Sequence, residues 1–311
     1  MQSDAARTGP SREEMFELFS TKMGWKKPTK LRESVFNLLW EGSAACSNFS
    51  ICLDVSAGQC RYKPFYEHAQ YVALDSAIGN ATWDYSKIDI FGDAHVLPIK
   101  NDSIDVCVNA TSLEHYLEPR LVFHEFARVL KPGGQLFLYV PFIHAEHEVP
   151  HDYFRYTRYG LAYFCGRSGL EIQLLRPGNG IFETSIDVIE FAFTLVNFQG
   201  KEQAVDLFEK TFKPLLNQLE TMEGVVEDYP NWPRFPQMST CYCLIARKPG
   251  KRIESPPETN RIDLIKKIVA CPSCKGDLGW SEESLRCNQC HKVFPFKGSV
   301  PNLMPDTTGR S

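Results

Sequence analysis

The stretch from Ile51 to Ser76 constrains the fold of this chain most, because it predicts a strand, a tight turn, a helix and a second strand in close succession. Its first strand, 51–55, is short and largely apolar, as is typical of a strand buried on both faces. Gly58 lies in the turn, and the expected helix covers Tyr62–Tyr66. Asp75 ends the second strand. Ligands bind beyond the carboxyl ends of parallel strands, so a carboxylate there is placed to accept hydrogen bonds from ribose hydroxyls.

The next segment continues this pattern of strands that end in polar residues. A short third strand leads to Asp93, and a fourth strand is predicted for Ser103–Val108 before the sequence SLEH at 112–115. A helix is expected next. It ends in RVLKPGG at 128–134, because lysine in the last turn and glycine after it are typical of a helix end. A fifth strand is predicted for Gln135–Val140.

The order of these motifs resembles that of the class I S-adenosylmethionine-dependent methyltransferases, in particular the type 11-like group. RVLKPGG after SLEH is the most specific part of the resemblance. It implies an α/β fold with a Rossmann-like sheet, S-adenosylmethionine as cofactor, and enzymatic methyl transfer. Seven residues are then expected at the cofactor: Asp54, Ser56 and Gly58 on the methionine side, Asp75 at the ribose, Asp93 and Ala94 at the adenine, and Asn109 near the sulfonium.

Two positions in the turn depart from the family pattern. The family usually has glycine where this chain has Ser56 and Cys60. The first glycine permits a tight turn, and the last permits close packing of the helix. Both replacements are small, so cofactor binding is the favoured interpretation. The alternative is a catalytically silent scaffold that keeps the fold and binds a protein partner.

A second informative stretch runs from Pro141 to Thr157 and is rich in histidines, acids and aromatic residues. Its PHDYFRYT sequence resembles a subgroup of bacterial-type methyltransferases, and this similarity points to a small-molecule or sugar-type acceptor. In one interpretation the stretch is a substrate loop, with His151 or Asp152 as a general base and Arg155 as an anion clamp. His115, in the SLEH turn, is a further candidate base.

Two other interpretations of this loop are left open. In one, a metal ion is bound by the three histidines of the loop, His144, His147 and His151, although their spacing matches no standard ligand set. In the other, Asp152 and Arg155 pair to fix the loop, and Thr157 caps the next helix. A mixed structural and substrate role is favoured over a metal site.

Four cysteines near the end of the sequence form a C-x2-C-x12-C-x2-C framework: Cys271, Cys274, Cys287 and Cys290. Two thiolate pairs at this spacing provide the four ligands of a closed tetrahedral zinc site, so a structural zinc ion is expected. The surrounding sequence, which ends in VFPFKGSVPNLM, resembles the zinc-ribbon proteins that activate methyltransferases. The resemblance implies that this ribbon docks on the catalytic domain of its own chain and stabilises or activates it.

The chain is expected to have four parts: an N-terminal helical segment at 1–44, a methyltransferase domain at 45–248 with a helical insert at about 176–237, a linker at 249–264, and the zinc ribbon at 265–305. The insert is expected to delay the closing strand of the sheet to Ser239–Ala246. It is typical of a lid, a substrate wall or a dimer face, and the sequence favours none of these.

Composition limits the choice of partners. The 311-residue chain has a net charge of −4, which gives no basic footprint for nucleic acid, and it has no apolar stretch long and uncharged enough to span a membrane. The cysteine pattern favours a cytoplasmic protein with one metal site. The favoured function is methyl transfer to a small-molecule or sugar-type acceptor. A tRNA or protein methyltransferase is a further alternative, and a homo-oligomer is left open.

Overall fold

The computed structural model describes residues 10–22, 30–79, 82–198, 202–222, 238–251 and 260–305. Within these ranges seven strands form one sheet: β1 (Ile51–Val55), β2 (Gln70–Asp75), β3 (Ile90–Phe91), β4 (Ile104–Ala110), β5 (Leu130–Pro141), β6 (Glu171–Pro177) and β7 (Cys241–Arg247). Their order is β3-β2-β1-β4-β5-β7-β6. β1 to β5 run parallel, and β7 is antiparallel to both of its neighbours. This is the mostly parallel α/β sheet that the sequence predicts.

Helices cover both faces of the sheet. Their bounds are α1 (Arg12–Lys22), α2 (Lys30–Ala44), α3 (Pro119–Val129) and α4 (Arg158–Ser168). Apolar residues of α1 and α2 join the core on one face, and those of α3 and α4 join the core on the other. Strands enclosed in this way need apolar residues on both sides, which explains why all residues of β1 and β4 are buried.

The caps of two helices agree with the sequence. The Ser11 hydroxyl accepts a hydrogen bond from the Glu14 amide, and the Glu14 carboxylate accepts one from the Ser11 amide, so the two residues form a capping box. The Thr157 side chain caps α4, which ends at Gly169 in the left-handed conformation. The predicted start of the second helix at Pro28-Thr29 lies outside the described residues.

The helix expected directly after β1 is wrong. The structure has turns there and a 3-10 helix at Lys63–Tyr66, with Pro64 in its first turn. Pro64 lacks an amide hydrogen and is tolerated only in a first helical turn, so a longer helix cannot run through it. The side chains of Phe65 and Tyr66 are nevertheless fully buried, since the 3-10 turn still directs them into the core.

The RVLKPGG sequence also differs from its prediction. α3 ends at Val129, and β5 begins at Leu130, four residues before Gly134. The ammonium group of Lys131 lies 3.0 Å from both carboxylate oxygens of Asp105. A Cβ atom on Gly134 would lie 3.0–3.1 Å from three backbone carbonyl oxygens. Gly134 is therefore needed because β5 passes close to the backbone of β4 at Ile104 and Asp105, and not because it ends the helix.

The region between β6 and β7 is helical, as predicted. It contains α5 (Ile181–Phe198), α6 (Glu202–Leu207), a π-helical turn (Phe208–Phe212) and α7 (Lys213–Met222). The proline-rich turn predicted at 229–236 lies outside the described residues. Along the part of the chain that the structure describes, no helix combines the length and the apolar character that crossing a membrane requires.

The carboxyl-terminal residues form a second, four-stranded antiparallel sheet, and they pack against the first one. It contains β8 (Leu278–Trp280), β9 (Ser284–Cys287), β10 (Val293–Lys297) and β11 (Val300–Pro301), preceded by α8 (Arg261–Ile268). α8 begins inside the stretch 249–264 that the sequence predicts as linker, and the domain boundaries themselves stay a prediction.

Backbone hydrogen bonds join the second sheet to edge strand β3. The Leu303 amide donates to the Phe91 carbonyl at 2.8 Å, and Asn302 forms a parallel bridge with Phe91. A second contact lies in the connection between β3 and β4, where the Ala270 amide donates to the Pro98 carbonyl at 3.0 Å. The exposed edge of the large sheet is therefore covered by the chain's own carboxyl-terminal segment.

Replacing Leu303 by alanine tests this packing. Its side chain is fully buried in the shared core, so we expect Leu303→Ala to lower the free energy of unfolding by roughly 2–4 kcal/mol. Leu207→Ala is the matched control, because Leu207 is 53% exposed and its loss should change stability by less than about 0.5 kcal/mol. Denaturant unfolding of the wild type and the two variants measures both values. Equal stabilities of the two variants would contradict the packing.

Candidate functional site

The strand order reverses beside β1, which pairs with β2 on one side and with β4 on the other. At such a point the chain leaves neighbouring strands in opposite directions, and a crevice opens at their carboxyl ends. The turn after β1, Asp75 at the end of β2 and the polar residues after β4 all lie at this edge. The cofactor residues predicted from the sequence thus lie at the carboxyl ends of neighbouring strands, along one edge of the sheet.

The turn after β1 depends on Gly58. Its φ is +52°, and its amide donates a 2.8 Å hydrogen bond to Oδ2 of Asp75. A Cβ atom at this position would lie 2.8 Å from the ring of Trp83. Glycine is required here both by the backbone conformation and by the aromatic ring that covers it.

Ser56 and Cys60 both have a positive φ, although neither is glycine. Their φ angles are 60° and 55°, in the left-handed region that side chains other than glycine seldom adopt. The Ser56 hydroxyl lies 2.7 Å from the Tyr116 hydroxyl, and the Cys60 thiol lies 3.6 Å from the Lys87 carbonyl oxygen. These contacts connect the turn to Tyr116 and to the chain before β3.

Asp75 accepts backbone hydrogen bonds on both of its oxygens, one from the turn after β1 and one from the connection that follows β2. In addition to Gly58, the Ala77 amide donates to Oδ1 at 2.6 Å. Burial raises the pKa of Asp75, and the backbone amides oppose this effect by stabilising the ionised form. A carboxylate oxygen has two lone pairs, so each one retains the capacity to accept a further hydrogen bond.

Asp54 is enclosed more completely, with 1% of its surface exposed. The Tyr71 hydroxyl donates a 2.6 Å hydrogen bond to its Oδ2. Burial raises the pKa of Asp54 to about 7, while the bond from Tyr71 lowers it and the charge of Asp75 raises it further. Asp54 therefore lies in the core beneath the turn, and its predicted role at the methionine side stays a prediction.

Asn109 and Tyr116 form a buried polar group with the turn. The Asn109 amide nitrogen lies within hydrogen-bond distance of the Val55 carbonyl, the Ser112 hydroxyl and the Tyr116 hydroxyl, at 2.7–2.9 Å. Among the described residues, its Oδ1 has no hydrogen-bond partner although it is buried. Such an oxygen favours a donor from a ligand, since unpaired buried acceptors are costly.

Asp93 binds the residue that follows Ala94. Its Oδ1 accepts hydrogen bonds from the amide of His95 at 2.9 Å and from Nδ1 of the same residue at 2.6 Å. Nε2 of His95 accepts from the Glu118 amide, so the proton lies on Nδ1. The His95 ring packs edge-on against Tyr116 at 5.6 Å. Asp93 is thus connected to the buried group around Asn109, with Ala94 buried beside it.

In the loop after β5, the structural interpretation of Asp152 and Arg155 agrees with the geometry. Arg155 donates to both carboxylate oxygens of Asp152 at 2.6 and 2.7 Å, and it also binds the backbone carbonyls of His144, Ala145 and Phe154. The pairing with Arg155 holds the pKa of Asp152 well below its usual range. Asp152 is therefore a poor general base, and Arg155 is committed to the loop and not to an anion.

The histidines near this loop are arranged differently from the predicted set of three. Nδ1 of His115 lies 2.7 Å from the His151 carbonyl oxygen, which fixes the SLEH turn to the loop. The His151 side chain is exposed and lies 3.1 Å from the Tyr153 hydroxyl. His147 lies instead beside His115 and Glu114, and these three residues form a group of metal-ligand type. The predicted convergence of His144, His147 and His151 is not the arrangement found among the described residues.

The four predicted zinc ligands converge. Sγ of Cys271 lies 3.6 Å from Sγ of Cys290, and Sγ of Cys274 lies 3.4 Å from Sγ of Cys287. Sulfurs that are each about 2.3 Å from one zinc ion at tetrahedral angles lie roughly 3.7 Å apart, so this donor set fits the ion. The amides of Gln289 and Cys290 point at Sγ of Cys287, as suits a thiolate.

Sequence reasoning missed three residues of this edge: His95, Tyr116 and Glu114. His95 and Tyr116 follow predicted site residues within a few positions, so their proximity was the available signal. Glu114 directly precedes the candidate base His115, but only tertiary packing buries its carboxylate, so its environment could not be inferred from the sequence.

Comparison with known proteins adds a domain match to this geometry. Residues 53–138 match the family model described as "Methyltransferase domain". Over 97 residues the chain is 33% identical to a malonyl-[acyl-carrier protein] O-methyltransferase of Xylella fastidiosa (strain M23), a stretch that is 28% of this chain. The chain spans about a third of the length of that relative.

A second relative and one solved structure are also similar. Over 44 residues, 14% of this chain, the identity to a UPF0434 protein of Coxiella burnetii (strain CbuG_Q212) is 41%, and the match covers 79% of that protein. The crystal structure of 1,6-didemethyltoxoflavin-N1-methyltransferase from Burkholderia thailandensis aligns with 79% of this chain and 93% of its own, at 12% identity and a TM-score of 0.43.

The backbone at Ser56 can be tested by comparing Ser56→Gly with Ser56→Ala. Both variants lose the hydroxyl that contacts Tyr116, and they differ only in the Cβ atom at a positive φ. We expect the glycine variant to be more stable by roughly 0.5–1 kcal/mol. A Cβ atom is unfavourable in the left-handed region, and glycine avoids this cost. The larger conformational entropy that glycine loses on folding offsets part of the advantage. Denaturant unfolding measures the difference. An alanine variant of equal or greater stability would contradict the strain.

The buried Asp54 carboxyl predicts a pH dependence of stability. Its folded pKa of about 7 exceeds the ordinary value of 3.8, so between these values the folded protein keeps a proton that the unfolded chain has released. Stability contributed by the neutral carboxyl is therefore lost as pH rises through this window. Relative to wild type, Asp54→Asn should gain roughly 2 kcal/mol of unfolding free energy between pH 5.5 and 8.

The comparison with wild type cancels the other titrating groups, because both proteins contain them. Denaturant unfolding of the wild type and of Asp54→Asn, each at both pH values, gives the four free energies of unfolding that the comparison needs. A difference between variant and wild type that does not change with pH would show that Asp54 is ionised throughout.

Proposed function

This chain belongs to the UPF0434 proteins over 44 residues and carries an S-adenosylmethionine-dependent methyltransferase domain, and we propose that it transfers a methyl group to a small-molecule or sugar-type acceptor. One observation carries the proposal. The carboxylate of Asp75 lies at the end of β2, bound to the turn of Gly58, at the edge where the strand order reverses. A carboxylate at this point is suited to the two hydroxyls of a ribose.

The residues at this edge are proposed to hold the cofactor in three groups. Asp75 accepts the ribose hydroxyls, the turn of Asp54, Ser56 and Gly58 borders the methionine part, and Asp93 with Ala94 borders the adenine. Asn109, whose buried Oδ1 has no partner among the described residues, supports the sulfonium side. When bound, S-adenosylmethionine supplies an electrophilic methyl group.

Catalysis is proposed to depend mainly on holding the acceptor in line with the methyl group, because orientation alone accounts for a large part of such rate enhancements. A base is needed only for an acceptor with a high pKa. His151 is the candidate, because Nδ1 of His115 lies against the His151 carbonyl and Nε2 of His115 faces Glu114. The ion pair with Arg155 makes Asp152 a positioning residue of the loop in this proposal.

A small acceptor is favoured over nucleic acid by the surroundings of the loop. The side chains of Tyr153 and Phe154 are exposed, as are those of Tyr159 and Tyr163 on the following helix. An aromatic surface of this kind suits an apolar or sugar face. The net charge of −4 gives no general attraction to a phosphate backbone.

The four cysteines are proposed to bind a structural zinc ion, and the segment that carries them is proposed to be the zinc ribbon that stabilises the methyltransferase domain. The donor set fits zinc, and four protein ligands leave no position for substrate. The contacts of Leu303 and Ala270 with the large sheet support docking within the chain. The domain boundaries at 44, 248 and 264 are part of this proposal.

The alternative of a silent scaffold is disfavoured by the turn itself. Ser56 and Cys60 are the departures that motivate it, yet both keep the positive φ of glycine. A site that binds nothing has no need to hold two side chains in a strained conformation beside a buried carboxylate.

Calorimetric titration with S-adenosylmethionine and S-adenosylhomocysteine tests the cofactor proposal. We expect binding by the wild type and at least tenfold weaker binding by Asp75→Ala, because hydrogen bonds to a charged group contribute roughly 1.5–3 kcal/mol each. Asp84→Ala is the matched control, because Asp84 is exposed, lies in the connection that follows Asp75 and accepts a hydrogen bond from the Ser86 amide. The affinity of Asp84→Ala for S-adenosylmethionine should equal that of the wild type.

Two outcomes would contradict the proposal. Absence of binding by folded wild-type protein would favour the scaffold, and equal binding by both variants would remove Asp75 from the site. Transfer of labelled methyl from S-adenosylmethionine to a panel of small alcohols, sugars, carboxylic acids, RNA and protein then identifies the acceptor class. Label that enters only RNA or protein would overturn the small-molecule acceptor.

A further inference from the structure

The carboxylate of Glu114 is buried beside the rings of two histidines. The residue has 0% of its surface exposed, and among the described residues neither of its carboxylate oxygens accepts a hydrogen bond. A buried carboxylate is normally paired, hydrogen-bonded or bound to a metal, since leaving it alone in a low dielectric is costly. The arrangement therefore requires a cation or a proton close to these oxygens.

Two imidazole nitrogens face this carboxylate. Nε2 of His147 lies 3.4 Å from Oε1 of Glu114, and Nε2 of His115 lies 3.7 Å from the same oxygen. All three ligand atoms lie within 4.8 Å of one another. Nitrogen and oxygen ligands that are each about 2.1 Å from one ion lie roughly 3.0–3.4 Å apart, so small rotations bring these atoms into ligand positions.

The other nitrogen of each ring is already occupied by acceptors. Nδ1 of His115 lies 2.7 Å from the His151 carbonyl oxygen. Nδ1 of His147 lies 3.2 Å from the Ala145 carbonyl oxygen and 3.4 Å from Oδ2 of Asp152. Acceptors on Nδ1 place the proton there, which leaves the Nε2 lone pairs directed at a carboxylate. Metal-binding histidines have this second contact to a carbonyl or carboxylate as a rule.

We propose that Glu114, His115 and His147 bind a divalent transition-metal ion, at a second metal site separate from the four cysteines. Two imidazoles and one carboxylate suit borderline ions such as Zn²⁺, Co²⁺ or Fe²⁺ better than Mg²⁺ or Ca²⁺. The side chain of His147 is 31% exposed, so the ion has a path from solvent.

The position of this site suggests its use. Glu114 and His115 follow β4, and His147 follows β5, so the site lies at the same sheet edge as the proposed cofactor residues. Three protein ligands leave further coordination positions open, as in catalytic zinc sites. An oxygen of the acceptor is the group that such a position takes, and a bound cation lowers the pKa of that oxygen. This role rests on the proposed function, whereas the binding of the ion does not.

Metal content per chain tests the proposal on the full-length protein. Each variant is incubated with Zn²⁺, freed of excess metal by gel filtration and analysed by mass spectrometry of the elements. We expect two zinc ions per chain for the wild type, and one for His147→Ala and for Glu114→Gln. The exposed His124 on α3 gives the matched control, so His124→Ala should keep two. Cys274→Ser should lose the other ion and keep the one at Glu114.

Co²⁺ substitution separates the two sites spectroscopically. Thiolate charge-transfer bands report the four cysteines, and they should be unchanged in His147→Ala, while the weaker ligand-field bands of a nitrogen and oxygen site are lost. Circular dichroism confirms that Glu114→Gln is folded, and the more exposed His147 gives an independent variant.

One zinc ion in the wild type, or two in both His147→Ala and Glu114→Gln, would overturn the proposal. The former result would indicate an imidazolium of His147 paired with Glu114. Loss of an ion in His124→Ala as well would indicate adventitious surface binding and would also overturn it.

Discussion

The hydrogen bonds to the Asp75 carboxylate hold the candidate site together. Backbone amides that leave a strand must find acceptors, and Asp75 provides them for Gly58 in the turn after β1 and for Ala77 in its own connection. The Ala57 amide also donates to the Leu74 carbonyl. The turn after β1 is therefore fixed to the end of β2 before any ligand binds, and preorganisation of this kind lowers the cost of binding.

Much of the fold could be predicted from the sequence, because buried parallel strands and a closing strand delayed by a helical insert leave clear apolar runs. The helix after β1 was predicted with the wrong type, because the positions of Tyr62, Phe65 and Tyr66 suit an α-helix and the 3-10 turn at Lys63–Tyr66 equally well. Ser56 and Cys60 illustrate a second limit. Residue type marked them as departures from glycine, but φ decides whether the turn survives, and φ depends on tertiary contacts such as that between Ser56 and Tyr116.

The loop after β5 shows the same limit for charged residues. The sequence identifies Asp152, Arg155 and the histidines of the loop as candidate functional residues. Their spacing alone is compatible with a general base, with a metal site and with an ion pair between Asp152 and Arg155. The structure separates these because Arg155 uses its donors on Asp152 and on backbone carbonyls. Glu114 was passed over because it reads as an ordinary surface acid at a helix start, and its burial arises only when the amides of Tyr153 and Phe154 bind its own backbone carbonyl.

The carboxyl-terminal segment is connected to the site through one short strand. β3 has only two residues, and a strand of this length at a sheet edge is weakly held by one neighbour. The Phe91 carbonyl accepts from the Leu303 amide, and the adjacent Gly92 amide donates to the Asp75 carbonyl. Docking of the segment therefore fixes the chain that runs from Phe91 to Asp93, the residue that contacts His95 and, through it, Tyr116. The carboxyl-terminal segment thereby supports the far side of this sheet edge through backbone contacts to β3.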